Sequence, residues 1–220
     1  MKFSKDEIRK AMLLYAVTDQ MWLKEGETLS DVVAEVLKNG ATFLQIREKD
    51  LAQDAFEAET QRLKALCARY AIPFVVNDSV EIALQCDADG VHVGQSDIKG
   101  RDIRAMIGPD KILGISAGTM EEAVAAEHAG ADYIGVGAIF GTSTKKNARS
   151  MTMERLKEIV SSVSIPVVAI GGINAENILE LCGSGVDGVA VVSAIFAAKD
   201  PGKATADLRE LAKEVVASHG

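Results

Sequence analysis

Short apolar runs rich in Val, Ile and Leu alternate along this chain with longer stretches whose apolar residues recur at helical spacing. The runs are Leu13–Asp19, Phe43–Lys49, Phe74–Asp78, Val91–Gln95, Ile112–Ala117, Tyr133–Phe140, Val167–Gly172 and Val189–Ile195. Between them, Leu29-Val32-Val33-Val36-Leu37 and Leu63-Leu66-Cys67-Tyr70 each mark one face of a helix. Cap signatures predict helix starts at Thr28, Asp54, Thr119 with Glu122, Thr152, Asn174, and Asp200 before Pro201. Gly40, Gly130 and Gly183 stand where left-handed helix endings are expected. Ser4 with Glu7 predicts one further helix ahead of the first strand.

Three strand entries are near copies: Ala88-Asp89-Gly90-Val91-His92-Val93, Ala131-Asp132-Tyr133-Ile134-Gly135-Val136 and Val186-Asp187-Gly188-Val189-Ala190-Val191. Strict alternation of strand and helix implies right-handed crossovers and a parallel sheet. Eight such units in 220 residues predict a compact α/β fold, the (β/α)8 TIM barrel, with the extra N-terminal helix in front. A doubly wound open sheet is the rival. It calls for a Gly-rich turn after the first strand, and Thr18-Asp19-Gln20 is not one. No linker or composition break divides the chain, so residues 1–220 read as a single domain.

Composition narrows the partners. Hydrophobic residues make up 48% and charged residues 25%, enough for one full-sized core. Aromatics are only 5% while glycines number 19, which suits strands layered under helices. A formal charge of −8 argues against nucleic acid and anionic membrane as partners. Cys67, Cys86 and Cys182 form no CxxC pair and no metal-ligand spacing, and read as reduced thiols. The charged start lacks the apolar core of a signal peptide, and no run approaches a membrane span, so a cytoplasmic location is expected.

In such a barrel the chemistry sits at the C-terminal strand ends, and there the unusual polar residues gather. Strand period two places Gln45, Arg47 and Lys49 on one face toward the barrel mouth, with Ile46 and Glu48 on the other. An amide and two cations there need an anion with several oxygens; a surface strand end paired to nearby acids is the plainer alternative. Asn77-Asp78 ends the third strand, and His92-Val93-Gly94-Gln95-Ser96-Asp97 runs through the fourth. Asp78 and Asp97 can converge on Mg2+, although Asp78 is also a fair helix cap. His92 reads as a hydrogen-bonded core histidine.

Ser116-Ala117-Gly118 ends strand five, and Thr142-Ser143-Thr144-Lys145-Lys146 follows strand six with donors for phosphate or a heterocycle, or as a solvated loop. Gly171-Gly172 after strand seven and Val192-Ser193 after strand eight occupy the recurrent phosphate position of this fold. Two anion sites across one mouth suggest joining two phosphorylated pieces, one leaving as pyrophosphate.

Together Gln45-Ile46-Arg47-Glu48-Lys49, Asn77-Asp78, His92 to Asp97, Thr142-Ser143-Thr144-Lys145-Lys146 and Ile170-Gly171-Gly172-Ile173 resemble the thiamine-phosphate synthase (thiamine-phosphate pyrophosphorylase) family, in register from Leu14 to Ile195. The resemblance implies a transferase that joins 4-amino-2-methyl-5-hydroxymethylpyrimidine diphosphate to a thiazole phosphate, giving thiamine monophosphate and pyrophosphate. It implies that Arg47, Lys49, Asn77 and Lys145 hold the departing diphosphate with help from Ser116, and that Asp78 and Asp97 carry Mg2+. Gln45 would meet the pyrimidine, Thr142 and Thr144 the thiazole, and Gly172, Val192 and Ser193 the thiazole phosphate. Two departures stand out: Gly118 replaces a frequent family His, and Ala138 and Gly141 replace frequent prolines. A thiazole tautomerase of similar fold, or a non-catalytic phosphate-binding barrel, is the alternative; the tautomerase branch lacks the full Gln-x-Arg-x-Lys and Asn-Asp pairings present here. A homodimer is expected from the habit of such barrels.

Overall fold

Each of the eight apolar runs holds one strand, and in the computed structural model the strands close into a parallel barrel in chain order, with the first paired to the last. The structure describes residues 2–48, 51–141 and 151–218. The strands are β1 (Leu14–Val17), β2 (Phe43–Ile46), β3 (Phe74–Asn77), β4 (Gly90–Val93), β5 (Ile112–Ala117), β6 (Tyr133–Val136), β7 (Val167–Ile170) and β8 (Gly188–Val191). The helices are α1 (Lys5–Ala11), α2 (Leu29–Lys38), α3 (Gln53–Tyr70), α4 (Val80–Gln85), α5 (Ile103–Ile107), α6 (Met120–His128), α7 (Met153–Ser161), α8 (Ser193–Phe196) and α9 (Pro201–Ala217). The expected barrel is therefore present, and closure excludes the open doubly wound sheet.

Period two sorts the strand residues into two apolar clusters. Leu14, Ala16, Leu44, Ile46, Val91 and Val93 pack outward against the helices. Tyr15, Val17, Phe43, Val75, Ile112, Tyr133, Val168 and Ala190 fill the barrel interior. The same inner cluster contains Ile8 and Met12, both fully buried, so α1 and the residue after it pack against the barrel interior. The capping box expected at Ser4 and Glu7 is formed and starts that helix.

Thr28, Thr119, Thr152 and Asp200 cap their helices through side-chain oxygens as expected. Two expected caps are corrected. α3 opens at Gln53 after Ala52, with no side-chain cap bond, which leaves Asp54 inside the first turn where its charge favours the helix dipole. Asn174 accepts from the Glu176 N–H and shapes a turn, and only the short 3-10 helix Ile178–Leu181 follows it. Gly40, Gly130 and Gly183 do take positive φ beyond helix ends, at 111°, 81° and 70°.

Seven of the eight strands end before the runs that predict them, and only β5 fills its run, because polar residues and glycines leave the ladder at its C-terminal edge. The Arg47 N–H, for example, donates to the Thr18 hydroxyl at 3.0 Å instead of to a strand carbonyl. Among the described residues no helix is long and apolar enough to cross a membrane.

Candidate active site

The C-terminal ends of the strands surround a cavity of about 660 Å³. Gln45, Arg47, Asn77, Asp78, Asp97, Ser116, Gly172, Val192 and Ser193 all line it, so nine of the predicted site residues share one space. Lys49, Thr142, Thr144 and Lys145 lie outside the described residues.

Inward strand positions supply the floor. Gln45 is 4% exposed and His92 8%, each two residues beyond an inner apolar or glycine position on its strand. On the opposite face of the β2 end, Glu48 accepts from the Thr18 hydroxyl at 2.7 Å and from the Gln20 N–H at 3.3 Å. That split matches the face expected for Glu48. Among the described residues Arg47 forms no ion pair, and its charge acts on the Asp78 carboxyl.

Asp78 has left α4 to another cap. Ser79 accepts from the Ile82 N–H and starts that helix, while Asp78 sits at φ 62°, a left-handed conformation that Asp and Asn enter more readily than other side chains. Its N–H donates to the His92 carbonyl at 2.8 Å, which fastens the β3 end to β4. Asp97 is fixed from the other side, its carboxylate accepting from the Gly94 N–H at 2.9 Å.

Both carboxyls line the cavity and their charges interact. Burial pushes the Asp78 carboxyl above the usual carboxylate range, and the neighbouring Asp97 charge pushes it further; the Asn77 amide and the more distant Arg47 cation pull it back. Two interacting acids on one cavity wall, with an amide beside them and a cation at the end of the adjacent strand, form a donor set suited to a hard divalent cation. Among the described residues no group of three or more His, Cys, Asp or Glu could hold a metal, so a cation held by these two carboxylates would need water or ligand oxygens to complete its coordination.

The opposite wall is made of backbone. Gly171 and Gly172 take φ 103° and 73°, and a Cβ on Gly172 would lie 2.7 Å from the Phe140 carbonyl oxygen. Only glycine lets the chain after β7 pass so close to the segment after β6. Asn177 donates to the Gly172 carbonyl at 2.9 Å and holds this turn. Val192 and Ser193, at the start of α8, complete that end.

Sequence reasoning missed several members of the site. Tyr15 lines the cavity, and Gln95 donates to the Ser116 carbonyl at 2.7 Å. Tyrosines at inward strand positions were the available signal, since a buried phenol needs a partner. His92 is both what it was expected to be, a hydrogen-bonded core residue, and part of the cavity wall.

The profile of the family described as Thiamine monophosphate synthase matches residues 14–195. A thiamine-phosphate synthase from Clostridium botulinum is 48% identical over 197 residues, covering 90% of this chain and 92% of its own. One from Ruminiclostridium cellulolyticum is 49% identical over 187 residues, covering 85% and 89%. Among solved structures, a thiamine phosphate pyrophosphorylase from Pyrococcus furiosus superposes with a TM-score of 0.85 at 41% identity, covering 94% of this chain and 98% of that one. Matches of that extent, on a barrel whose polar strand ends share one cavity, mean that the chain belongs to the thiamine monophosphate synthase family.

Proposed function

We propose that the chain catalyses thiamine-phosphate synthesis, transferring the (4-amino-2-methylpyrimidin-5-yl)methyl group from its diphosphate ester to the nitrogen of a thiazole phosphate. The products are thiamine monophosphate and pyrophosphate. The observation that supports this reading is that Asp78 and Asp97, whose charges interact, line the same cavity as Arg47, which has no ion pair among the described residues, with a glycine-built wall at the other end.

Arg47, Asn77 and Ser116 hold the diphosphate, with Lys49 and Lys145 added from outside the described residues. Asp78 and Asp97 hold Mg2+, which when bound neutralises charge gathering on the departing oxygens. Gln45 meets the pyrimidine edge. Gly172, Val192 and Ser193 receive the thiazole phosphate, and Thr142 and Thr144 line the thiazole ring. The carbon–oxygen bond of the pyrimidine methylene breaks largely before the thiazole nitrogen gives its lone pair to that carbon, so no side-chain nucleophile is needed. The enclosing barrel keeps the two rings adjacent and limits water, which would otherwise capture the cation. Three unpaired cysteines support a reducing, cytoplasmic setting.

The test is a product assay with both substrates. One pyrophosphate per thiamine monophosphate, dependent on Mg2+ and absent when either substrate is omitted, is expected. Isomerisation of the thiazole without pyrophosphate, or binding without turnover, would overturn the reading.

A further inference from the structure

At the floor of the cavity, five polar side chains form one unbroken hydrogen-bonded chain across the barrel. The Gln45 amide nitrogen donates to the Tyr15 hydroxyl at 2.5 Å. The Tyr15 and Tyr133 hydroxyls are 2.8 Å apart, Tyr133 Oη is 2.9 Å from His92 Nδ1, and His92 Nε2 is 3.0 Å from Ser116 Oγ. Gln45 and Ser116, the two ends, line the cavity, whereas Tyr133 is fully buried and absent from its wall.

The chain exists because of a missing side chain. Strand register sets His92 opposite Gly114 and Gly114 opposite Tyr133. A Cβ at Gly114 would overlap the Tyr133 ring and lie 2.5 Å from His92 Nδ1, and one at Gly135 would lie 3.2 Å from His92 Cε1. Two interior strand glycines, which ordinarily weaken a sheet, thus open the space in which imidazole and phenol meet.

Each hydroxyl carries one hydrogen and a neutral imidazole carries one N–H, so the direction of any link fixes the others. Burial holds both tyrosine hydroxyls far above the ordinary phenol range, and they stay protonated. With His92 neutral, two arrangements satisfy every member. In one, Gln45 donates, His92 carries its hydrogen on Nε2, and Ser116 accepts from His92 while its own hydrogen is offered to the cavity. In the other, Gln45 is turned to accept, His92 carries its hydrogen on Nδ1, and Ser116 donates back to His92. A mixture strands a buried polar group.

We propose that Tyr133 is a positioning residue that couples the orientation of the Gln45 amide to the donor state of the Ser116 hydroxyl, so that recognition of an aminopyrimidine edge readies a hydrogen-bond donor for the leaving diphosphate. The inference rests on the reading of the site given above. An aminopyrimidine edge sets a donor beside an acceptor and selects one amide orientation; an oxo group in place of the amino group reverses that pattern and calls for the other. Only the Gln45-donating arrangement gives Ser116 a hydrogen to share with an oxygen that is gaining negative charge.

Two measurements test this. In the unmodified protein carrying the free aminopyrimidine alcohol, the ring-nitrogen NMR shifts of His92 should report the Nε2–H tautomer; the Nδ1–H tautomer would overturn the proposal. Tyr133→Phe keeps the ring and leaves the cavity wall intact but removes the link. It should lower kcat roughly tenfold with KM for the pyrimidine diphosphate within about twofold, the loss of one hydrogen bond felt in the transition state, and the His92 tautomer should no longer respond to the alcohol. A folded Tyr133→Phe protein with unchanged kcat and an unchanged tautomer response would also overturn it. Failure of the unmodified protein to release pyrophosphate at all would instead remove the underlying functional reading, so the two failures are told apart.

Discussion

Tyr133 Oη lies 2.9 Å from His92 Nδ1 across a strand position occupied by Gly114. A methyl group at that position has nowhere to go, since it would overlap the phenol and press on the imidazole from fully covered strands. Gly114→Ala should therefore destabilise the fold by about 1–3 kcal/mol, the usual cost of overpacking a filled interior. Thermal or urea unfolding measures it. An unchanged midpoint would mean that the barrel interior has slack the packing does not show.

Asp78 and Asp97 repel one another when both are charged, and a divalent cation between them reverses the sign of that interaction. Asp78→Asn suits the left-handed backbone at φ 62°, and Asp97→Asn keeps an acceptor for the Gly94 N–H. Each should lower turnover by about 100-fold or more through weakened metal binding, while the metal-free protein unfolds at the same or a higher temperature than the parent. Activity assays across Mg2+ concentrations and melting curves in a chelator read the two effects separately. Parental turnover at limiting Mg2+ in either variant would remove both aspartates from the metal site.

Glu48 gives the fold a pH dependence. Burial raises its carboxyl above the ordinary value of 4.5, with the Thr18 hydroxyl and the Gln20 N–H opposing, and Asp19 and Glu59 raising it a little further. A raised carboxyl holds its proton more tightly in the folded state than in the unfolded one. Its contribution is thus fully present below 4.5 and lost as pH rises through the higher folded value. Glu48→Gln should flatten the fall in melting temperature over that window; an identical profile in parent and variant would contradict the assignment.

Much of the architecture was legible because it rests on local pattern. Runs of β-branched residues, their spacing, and caps such as Thr28 and Asp200 each encode one element without outside help. The site was legible for the same reason: polar residues at strand ends are conspicuous among Val and Ile, and all those falling on described residues reach one cavity. Asp54 misled because an acid in a first turn and an acid at a cap look alike in sequence. After β7 a helix capped by Asn174 was expected, yet Asn174 and Asn177 hold a turn there and the 3-10 helix begins only at Ile178. The inward tyrosines hint at the chain from Gln45 to Ser116, but its path is not local. Tyr15 and Tyr133 are 118 positions apart, and their use depends on a glycine in a third strand.

The central claim is that one end of the cavity takes the diphosphate with its metal and the other takes the monophosphate. A structure of the protein with thiamine monophosphate, pyrophosphate and Mg2+ tests it most directly. Pyrophosphate against Arg47, Asn77 and Ser116, with the metal on Asp78 and Asp97 and the monophosphate at Gly172 and Ser193, is the predicted result. Pyrophosphate seated at Gly172 and Ser193, or a metal away from both aspartates, would contradict it.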